Sequence, residues 1–389
     1  MRVALFLDAA FRRDASGRVF AGEELLGFST FAAAVGERLG GLLLIARRTE
    51  DSAATPFELP AGVELAPLPF YSSLRNVGAL LGALPATMGA IWRALGDVDA
   101  VWVSAANPVG VIVMALAALR RRRVSILVRQ DTMQYFRNRL PSRLWAPMLL
   151  PLWIIDRIYR GVARRARTVV VGDRIAAQYR SRRDNVLAIT VNLTSERDIP
   201  STPPDRAWEQ PVRLLTVGRI EAEKNPLLLV EMLAELERAQ PGRFAATWVG
   251  SGRLAKELRE HAERLGVGER LELPGFVAHG AQLRERYRQA DAFVHISLTE
   301  GVPGVIVEAL ACGLPTVATD VGGVRAATAD GEAALLVPPS DAGALSRAVL
   351  ELDADPARRL RLAERGLQLA RESSLEVEAE RVATFIGGS

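Results

Sequence analysis

The chain is poor in residues that form covalent cross-links and metal sites. Cys312 is the single cysteine among 389 residues, which excludes an internal disulfide and a cysteine-based metal centre and fits a reducing compartment. Histidine occurs only at positions 261, 279 and 295, and no spacing typical of a metal-binding motif is present. The first residues, Met1–Asp8, have the pattern of a β-strand and lack the apolar stretch and cleavage site of a secretory leader.

Lysine is also scarce, so arginine supplies nearly all of the positive charge. The formal net charge is +4, but residues 1–200 carry +10 and the remainder carries −6. The first half is therefore attracted to anionic surfaces. It has no nucleic-acid recognition motif and no interleaved aromatic residues, so nucleic acid is not a predicted partner.

One uncharged run has some features of a membrane span. Residues 100–119 carry no charge and are followed by four arginines at positions 120–123. The favoured alternative is a β-strand at Ala100–Ser104, followed by a helix that Asn107 caps and Pro108 begins. We therefore predict a strand and a helix packed on a sheet.

Short apolar strands alternate with helical patterns, which indicates βαβ units and parallel sheets. In the first half, strands are predicted at residues 3–7, 41–45, 63–68, 100–104, 124–128, 168–171 and 186–190, with helices that include 30–39 and 109–119. The Pro-rich run 199–205 interrupts the pattern. The pattern then restarts, with strands at 212–217, 244–249, 292–296, 316–318 and 334–337 and helices at 226–239, 253–265, 305–311 and 342–352. The fold class is therefore α/β, with two doubly wound, Rossmann-like domains over residues 1–205 and 206–371.

The stretch from Glu300 to Glu308 is the most informative motif. It places two carboxylates eight positions apart around a glycine-rich turn, behind a predicted strand and at the start of an apolar helix. Such turns bind phosphate in open α/β sheets, through backbone N–H groups and the positive helix end. Carboxylates are unfavourable beside phosphate, so we predict that both glutamates accept hydrogen bonds from hydroxyls, which points to a nucleotide sugar. Glu308 lies among apolar neighbours, where an unpaired carboxylate is costly, so a ligand or cation partner is expected.

These glutamates, with Gly322-Gly323 and Asp330-Gly331 downstream, closely resemble the E-x7-E pattern of retaining glycosyltransferases of the GT-B fold, family 4 or group 1. The resemblance implies two Rossmann-like domains facing across a cleft, with the C-terminal helix, 372–389, packed back on the first domain. It implies transfer of a hexose from a nucleotide sugar, most simply UDP- or GDP-linked, to a hydroxyl of a glycan or lipid-linked acceptor. It further implies retained anomeric configuration, no obligatory metal or other cofactor, and a role in polysaccharide biosynthesis for the cell envelope.

The resemblance also assigns donor-side residues. Gly218, Arg219 and Lys224 match an element that binds the donor diphosphate in this family. Arg219 and Lys224 would stabilise the leaving group. Glu300 would contact the donor sugar. Glu308 would accept the ribose hydroxyls. The remaining expected donor contacts are Gly250, Gly252, Val277, Gly301, Val302, Pro303 and Gly304.

On the acceptor side, Gly22 lies in a stretch, Phe20–Glu24, similar to a loop that runs under the reacting sugar in this family. Many relatives carry a histidine after a strand in the middle of the first domain, and this chain has Gln130 and Asp131 there. Gln130 can still donate a hydrogen bond to a sugar hydroxyl, whereas ionised Asp131 can only accept one. His295, within an apolar strand, is interpreted as a core histidine, and the Asp97–Asp99 pair is interpreted as a turn.

The segment 137–167 combines tryptophans and apolar residues with flanking arginines. Its apolar run, residues 144–155, is too short to span a bilayer, so peripheral contact with an anionic membrane and a buried helix with a basic face are the two interpretations. A cytoplasmic enzyme, peripheral on the inner face of the plasma membrane, is the expected localisation. The alternative functions are a catalytically silent nucleotide-sugar-binding protein, a sugar phosphorylase and an epimerase of the same fold.

Overall fold

The structure is a computed structural model that describes residues 1–52, 55, 57–69, 77–137, 149–180, 184–204 and 207–388. The chain divides into two compact units, one formed by residues 1–191 with 376–389 and the other by residues 192–375. The predicted domain boundaries, after residues 205 and 371, lie just inside the second unit and stay predictions.

The first unit is an α/β layer structure. Its strands are β1 (Val3–Arg13), β2 (Val19–Ala21), β3 (Leu42–Arg48), β4 (Phe57–Glu58), β5 (Val63–Leu68), β6 (Ala100–Ser104), β7 (Arg123–Val128), β8 (Arg167–Val171) and β9 (Val186–Ile189). Its helices are α1 (Glu23–Arg38), α2 (Val77–Ala94), α3 (Pro108–Leu119), α4 (Thr132–Arg137), α5 (Leu150–Ala163), α6 (Asp173–Tyr179) and the last helix of the chain, α14 (Leu375–Gly387).

Within the described residues, a parallel sheet of the first unit has the order β5-β3-β1-β6-β7-β8-β9. Strands β2 and β4 extend it by antiparallel pairing, with β2 paired to the last two residues of β1 and β4 paired to β2. This small addition was not predicted, and Phe20 and Ala21, expected in a loop, lie in β2. Gly22 is the N-cap of α1, which begins at Glu23, earlier than the predicted start at residue 30.

The uncharged run 100–119 forms a strand and a helix, as predicted. Asn107 accepts hydrogen bonds from the backbone N–H groups of Val109 and Gly110, and Pro108 occupies the first turn of α3. The predicted N-terminal cap of this helix is therefore confirmed. Among the helices of the described ranges, none has the length and apolar character needed to cross a bilayer.

Helix α14 completes the first unit although it ends the chain. Arg38 on α1 pairs with Glu380 at 3.1 Å. Arg167 donates to the carbonyl oxygen of Phe385 near the C-terminal end of α14, where a cation opposes the negative end of the helix dipole.

The second unit is a doubly wound parallel sheet. Its strands are β10 (Val212–Val217), β11 (Phe244–Val249), β12 (Leu271–Gly275), β13 (Ala292–His295), β14 (Thr316–Thr319) and β15 (Leu335–Val337). Its helices are α7 (Pro226–Ala239), α8 (Ala255–Arg264), α9 (Ala281–Gln289), α10 (Gly304–Ala311), α11 (Val324–Ala327), α12 (Ala342–Ala354) and α13 (Pro356–Glu372). In the part of this unit that the structure describes, the strand order is β12-β11-β10-β13-β14-β15, all parallel.

The sequence of this second sheet reflects burial on both faces. Strand β13 is buried along its whole length and β10 along most of it, which is typical of parallel strands covered by helices on both sides. The bounds predicted for β10, α7 and β11 are those observed. The strand order reverses between β10 and β13, and the loops that follow these two strands meet at that point.

Candidate active site

The carboxyl ends of β10 and β13 bring Lys224 and Glu300 together. Lys224 ends a single 3-10 turn (Ala222–Lys224) that follows β10, and its ammonium nitrogen lies 2.5 Å from Glu300 Oε1. A backbone hydrogen bond of 2.9 Å from the Leu298 N–H to the Glu223 carbonyl oxygen joins the two loops. Two residues that lie far apart in sequence thus form one ion pair at the switch point of the sheet.

Glu300 has two further donors on the same oxygen. The Ser297 hydroxyl lies 2.6 Å and His295 Nε2 lies 2.9 Å from Oε1. Only 10% of the Glu300 side chain is exposed. Burial by itself raises the pKa of Glu300, but the hydrogen bond from His295 and the positive charge of Lys224 outweigh burial and lower it to about 2.

His295 is therefore more than a core histidine. Its ring is buried, as predicted for a residue in an apolar strand, but its Nε2 atom contacts Glu300 and lies 3.1 Å from the Ser297 hydroxyl. The interpretation of His295 as a buried, hydrogen-bonded core histidine is confirmed, and its contact with Glu300 adds a role that the interpretation did not include. Glu300 follows His295 by five residues, and a turn lies between them. Sequence periodicity therefore does not show that the two side chains are in contact.

The backbone around Glu300 is held by a neighbouring glycine turn. A Cβ on Gly322, whose φ is +55°, would lie 1.9 Å from the Glu300 carbonyl oxygen. Only glycine allows this approach at this conformation. The Gly322-Gly323 pair, which sequence analysis singled out, thus fixes the path of the glutamate turn.

The loops after β10 and β11 are packed in the same way. A Cβ on Gly250 would lie 1.9 Å from the Gly218 carbonyl oxygen, and one on Gly252 would lie 2.2 Å from that of Ile220. The indole N–H of Trp248 donates to the same Gly218 oxygen at 2.8 Å. The glycines that were predicted to approach a ligand are required by this contact between loops, and their role toward a ligand stays a prediction.

Arg219 lies apart from the glutamate cluster. Its guanidinium pairs with Glu223 at 2.8 Å, and 62% of the side chain is exposed. Arg253, on the neighbouring loop, pairs with Glu221 at 2.8 Å. The structure places both arginines on the loops that follow β10 and β11, where each is held by an acidic neighbour.

Glu308 is on the buried side of α10, and its partners are uncharged or weakly basic. The Tyr287 hydroxyl donates to Oε2 at 2.9 Å, and His279 Nε2 lies 3.6 Å from Oε1. Burial raises the pKa of Glu308 to about 7, although the Tyr287 hydrogen bond acts in the opposite direction. The hydrogen-bond partner of this carboxylate within the described chain is thus a phenol, with a histidine nearby whose own pKa is lowered by burial, and the expected ligand contact stays a prediction.

The other predicted donor-side residues lie around these two glutamates in sequence and in space. Gly301 and Val302 are in the turn before α10, Pro303 is its N-cap, and Gly304 is its first residue. Val277, after β12, packs against the apolar cluster under α10. Cys312 caps the C-terminal end of α10 as a buried thiol.

The predicted acceptor-side residues lie in the first unit. Gly22 lies between β2 and α1, and Gln130 and Asp131 follow β7. Gln130 is exposed, and the Gln178 amide donates to Asp131 at 3.2 Å. Asp99 of the Asp97–Asp99 pair accepts from the Arg2 backbone N–H at 2.8 Å in the turn before β6, which confirms the turn.

The first unit has a polar cluster that sequence analysis missed. At the β1/β6 switch point, Asp8 accepts from the Asn107 amide at 2.5 Å and pairs with Arg47 at 3.1 Å. Asn107 was read only as a helix cap. In the sequence, the single signal was one aspartate, Asp8, within an apolar strand. The switch point could be recognised only from the strand order.

Comparison with known proteins places the second unit in a family. Residues 200–369 match the family described as glycosyl transferases group 1. The D-inositol 3-phosphate glycosyltransferase of Thermomonospora curvata is 34% identical over 186 residues, which are 45% of this chain and 42% of that protein. The protein of the same name from Geodermatophilus obscurus is 40% identical over 154 residues, 36% of this chain and 34% of its own length. The chain therefore spans less than half the length of these curated relatives.

Solved structures match along the whole chain. HepE of Anabaena, solved in complex with UDP, superimposes with a TM-score of 0.71 at 16% identity and full coverage of both chains. WaaG, a glycosyltransferase involved in lipopolysaccharide biosynthesis, gives a TM-score of 0.66 at 17% identity, again over both full chains. At these identities the likeness shows the fold, and it confirms the predicted fold class of two Rossmann-like domains. The chain thus has the GT-B fold, and its residues 200–369 match the model of the family described as glycosyl transferases group 1.

Proposed function

We propose that the protein is a retaining glycosyltransferase that moves a hexose from a UDP- or GDP-linked donor to a hydroxyl of a glycan or lipid-linked acceptor. One observation carries this proposal. Two largely enclosed glutamates lie on the loop and helix that follow β13: Glu300, with a lowered pKa, pairs with Lys224 at the switch point of a parallel sheet, and Glu308, with a raised pKa, accepts from Tyr287. Switch points are where open α/β sheets bind nucleotides.

In this proposal, each group has one task in donor binding. Glu308 accepts the ribose hydroxyls, and Glu300 accepts a hydroxyl of the hexose. Lys224 and Arg219 bind the diphosphate, because an ammonium supplies a point charge and a guanidinium a planar fork for phosphate oxygens. The remaining contacts are backbone groups of Gly218, Gly250, Gly252, Val277, Gly301, Val302, Pro303 and Gly304. The HepE structures with UDP, UDP with glucose, and UDP-glucose support a nucleotide-sugar donor.

The chemistry follows from the charges. As the bond between the hexose and the diphosphate breaks, negative charge grows on the diphosphate, where Lys224, Arg219 and the N-terminal end of α10 stabilise it. The departing β-phosphate accepts the acceptor's proton, so no separate protein base is required. This scheme needs no obligatory metal, and unchanged turnover in EDTA is the corresponding test. Anomeric NMR of the product tests retention.

Residues of the first unit bind the acceptor in this proposal. Gly22 lies under the reacting sugar, and Gln130 or Asp131 replaces the histidine common in relatives. The formal charge of +10 over residues 1–200 favours an anionic acceptor.

The first test is nucleotide binding by thermal shift, with UDP, GDP, ADP, TDP and CDP on the parent and on Glu308→Ala. A nucleotide at about 100 times its dissociation constant stabilises by roughly 2.7 kcal/mol. We expect UDP or GDP to stabilise the parent and to lose this effect in the variant. Exposed Glu257 on α8 provides a control, since Glu257→Ala should bind as the parent does.

Several results would redirect the proposal. No stabilisation by any nucleotide in a folded sample would refute it. Binding of UDP or GDP without transfer from any donor would favour the silent binding protein. Phosphate-dependent turnover without nucleotide would identify a phosphorylase, and interconversion of the donor sugar an epimerase.

We further propose that α5 contacts an anionic membrane, with the protein on the cytoplasmic face of the plasma membrane. Along one side of α5, Leu150, Trp153, Ile154 and Ile158 are between 39% and 58% exposed. The opposite side is buried, with Tyr159 fully enclosed. These exposed apolar side chains disfavour the alternative of a buried helix whose outer face is basic. Residues 138–148 of the predicted segment lie outside the described residues.

The charges near this face match an anionic surface. Arg157 lies 5.5 Å from the centre of the Trp153 ring, and Arg164 and Arg165 are exposed at the end of the helix. Exposed apolar residues beside arginines are typical of helices that lie in the interface of anionic bilayers.

Vesicle flotation tests this contact. We expect the protein to bind vesicles of phosphatidylglycerol and phosphatidylcholine at low salt and to bind pure phosphatidylcholine weakly. The double substitution W153S/I154S should abolish binding, and Leu360→Ser, which removes a 50% exposed leucine from the second unit, should not. Equal binding by both variants, or none by the parent, would refute the membrane proposal without affecting the donor site.

A further inference from the structure

The hydrogen bonds on Glu300 are distributed unequally between its two oxygens. Lys224, Ser297 and His295 all contact Oε1, at 2.5, 2.6 and 2.9 Å. Among the residues that the structure describes, no donor contacts Oε2. A carboxylate has about four acceptor sites over its two oxygens, so this arrangement saturates one oxygen and leaves the other available.

The environment of His295 indicates its tautomer. Its Nδ1 atom is buried and has no hydrogen-bond partner in the described part of the chain. A buried N–H without an acceptor is costly, so the proton is expected on Nε2, where it can be donated to Glu300. His295 then acts on Glu300 as a hydrogen-bond donor through Nε2.

Ser297 is itself held in place. Its carbonyl oxygen accepts from the Thr319 hydroxyl at 2.8 Å, and its side chain is buried. His295 is the last residue of β13. His295 thus stands in the sheet and Ser297 two residues beyond the end of β13, and both donors are short side chains that are buried.

We propose that His295 and Ser297 are positioning residues that hold Glu300 by Oε1, so that Oε2 alone accepts a hydroxyl of the transferred sugar. This inference rests on the proposed function. The proposal explains why three donors contact one oxygen of Glu300, because one of them, Lys224, is also assigned to the diphosphate. When Lys224 turns to a phosphate oxygen, His295 and Ser297 still keep the carboxylate ionised and oriented.

The test separates the sugar from the nucleotide. Dissociation constants of UDP and UDP-glucose are measured by calorimetry for the parent, His295→Leu, His295→Gln and Ser297→Ala. UDP lacks the hexose, so its affinity should be unchanged in all four proteins. The additional affinity for UDP-glucose should fall about tenfold in His295→Leu and Ser297→Ala, the size of one lost hydrogen bond to a charged group. His295→Gln should restore it, because the glutamine amide can donate where Nε2 did.

A matched control separates positioning from stability. Ser346 is a buried serine whose hydroxyl donates to Glu235 at 2.5 Å, on the α12 side of the same unit. Ser346→Ala should leave both affinities unchanged. Equal loss of UDP and UDP-glucose affinity in the His295 and Ser297 variants, unchanged UDP-glucose affinity in them, or the same selective loss in Ser346→Ala would overturn the inference.

A second measurement needs no ligand. In a double-mutant cycle of His295→Leu with Glu300→Gln, the loss in the unfolding equilibrium constant caused by removing His295 should be at least fivefold smaller when Glu300 is already replaced. Additive losses would overturn the inference. If the parent binds none of the nucleotides in the thermal-shift panel, the donor assignment fails, while this cycle still decides the positioning of Glu300.

Discussion

Replacement of Glu308 by glutamine should stabilise the protein at neutral and alkaline pH while it removes nucleotide binding. The ordinary pKa of this carboxyl is 4.5, and burial raises it to about 7 in the folded chain. The folded state therefore holds this proton more tightly than the unfolded state. The stability that comes from the raised pKa is complete below the unfolded value and is lost as pH rises from there through the folded value.

The size of the effect follows from the shift. Each pKa unit corresponds to about 1.4 kcal/mol, so ionising Glu308 in the folded protein costs about 3 kcal/mol at pH 7 to 8 and under about 1 kcal/mol at pH 5. The side chain is only 18% exposed, so solvent screening is limited. The glutamine of the Glu308→Gln variant cannot ionise, and its amide oxygen can still accept from Tyr287.

Urea unfolding at pH 5 and pH 8, followed by tryptophan fluorescence, measures this difference, since Trp208 and Trp248 both lie in the second unit. The advantage of Glu308→Gln over the parent should grow with pH by roughly 2 kcal/mol across this range. Glu257→Gln, at an exposed position of α8, controls for loss of a charge. An advantage that is the same at pH 5 and pH 8, or a variant less stable than the parent at pH 8, would refute the reasoning.

Three further predictions concern the glutamate cluster and its loops. Gly322→Ala should lower the free energy of unfolding by about 2 kcal/mol or more in a denaturation assay, because its Cβ would meet the Glu300 carbonyl oxygen. Gly301→Ala is the control, and it should change the free energy of unfolding little because the space around its Cβ is open. Lys224→Ala should weaken UDP binding and also destabilise the fold, because it leaves Glu300 enclosed without its cation. Arg219→Ala should weaken UDP binding alone. Calorimetry with UDP and uridine measures the effect on binding, and thermal unfolding measures the effect on stability. The pKa of Glu300 is lowered to about 2, so its ionised form contributes stability that is present above pH 4.5 and is lost as pH falls toward 2. In thermal melts at decreasing pH, the difference in stability between the parent and Glu300→Gln should therefore narrow. A difference that stays constant would contradict this assignment.

The sequence predicted the parts of the fold that local pattern determines. Strands β10 and β11 and helix α7 have the predicted bounds, because a buried parallel strand is a short apolar run and Pro226 marks a helix start. The antiparallel pair of β2 and β4 escaped prediction because strands of three and two residues carry no measurable periodicity.

In the candidate site, too, the local features were predicted and the contacts between distant residues were not. The spacing of Glu300 and Glu308 is a local property and was read from the sequence. The partners of Glu308 come from α9, which carries Tyr287, and from the loop before it, which carries His279, whereas the partner of Glu300, His295, ends the preceding strand; each contact depends on the path of the backbone. A sequence pattern identifies which loops converge at a sheet edge, but it does not state which side chains meet there.

The path of the chain gives the two units different folding histories. The second unit is one continuous segment whose ends meet, since the backbone N–H of Leu375 donates to the Thr194 carbonyl oxygen at 3.0 Å. The first unit is interrupted by this segment and closes only with α14, whose Glu380 pairs with Arg38. During synthesis, the second unit can thus finish folding while the first unit still lacks α14. The second unit is also the natural fragment to express alone, whereas a fragment of the first unit that stops at residue 191 would leave the α14 side of its sheet uncovered.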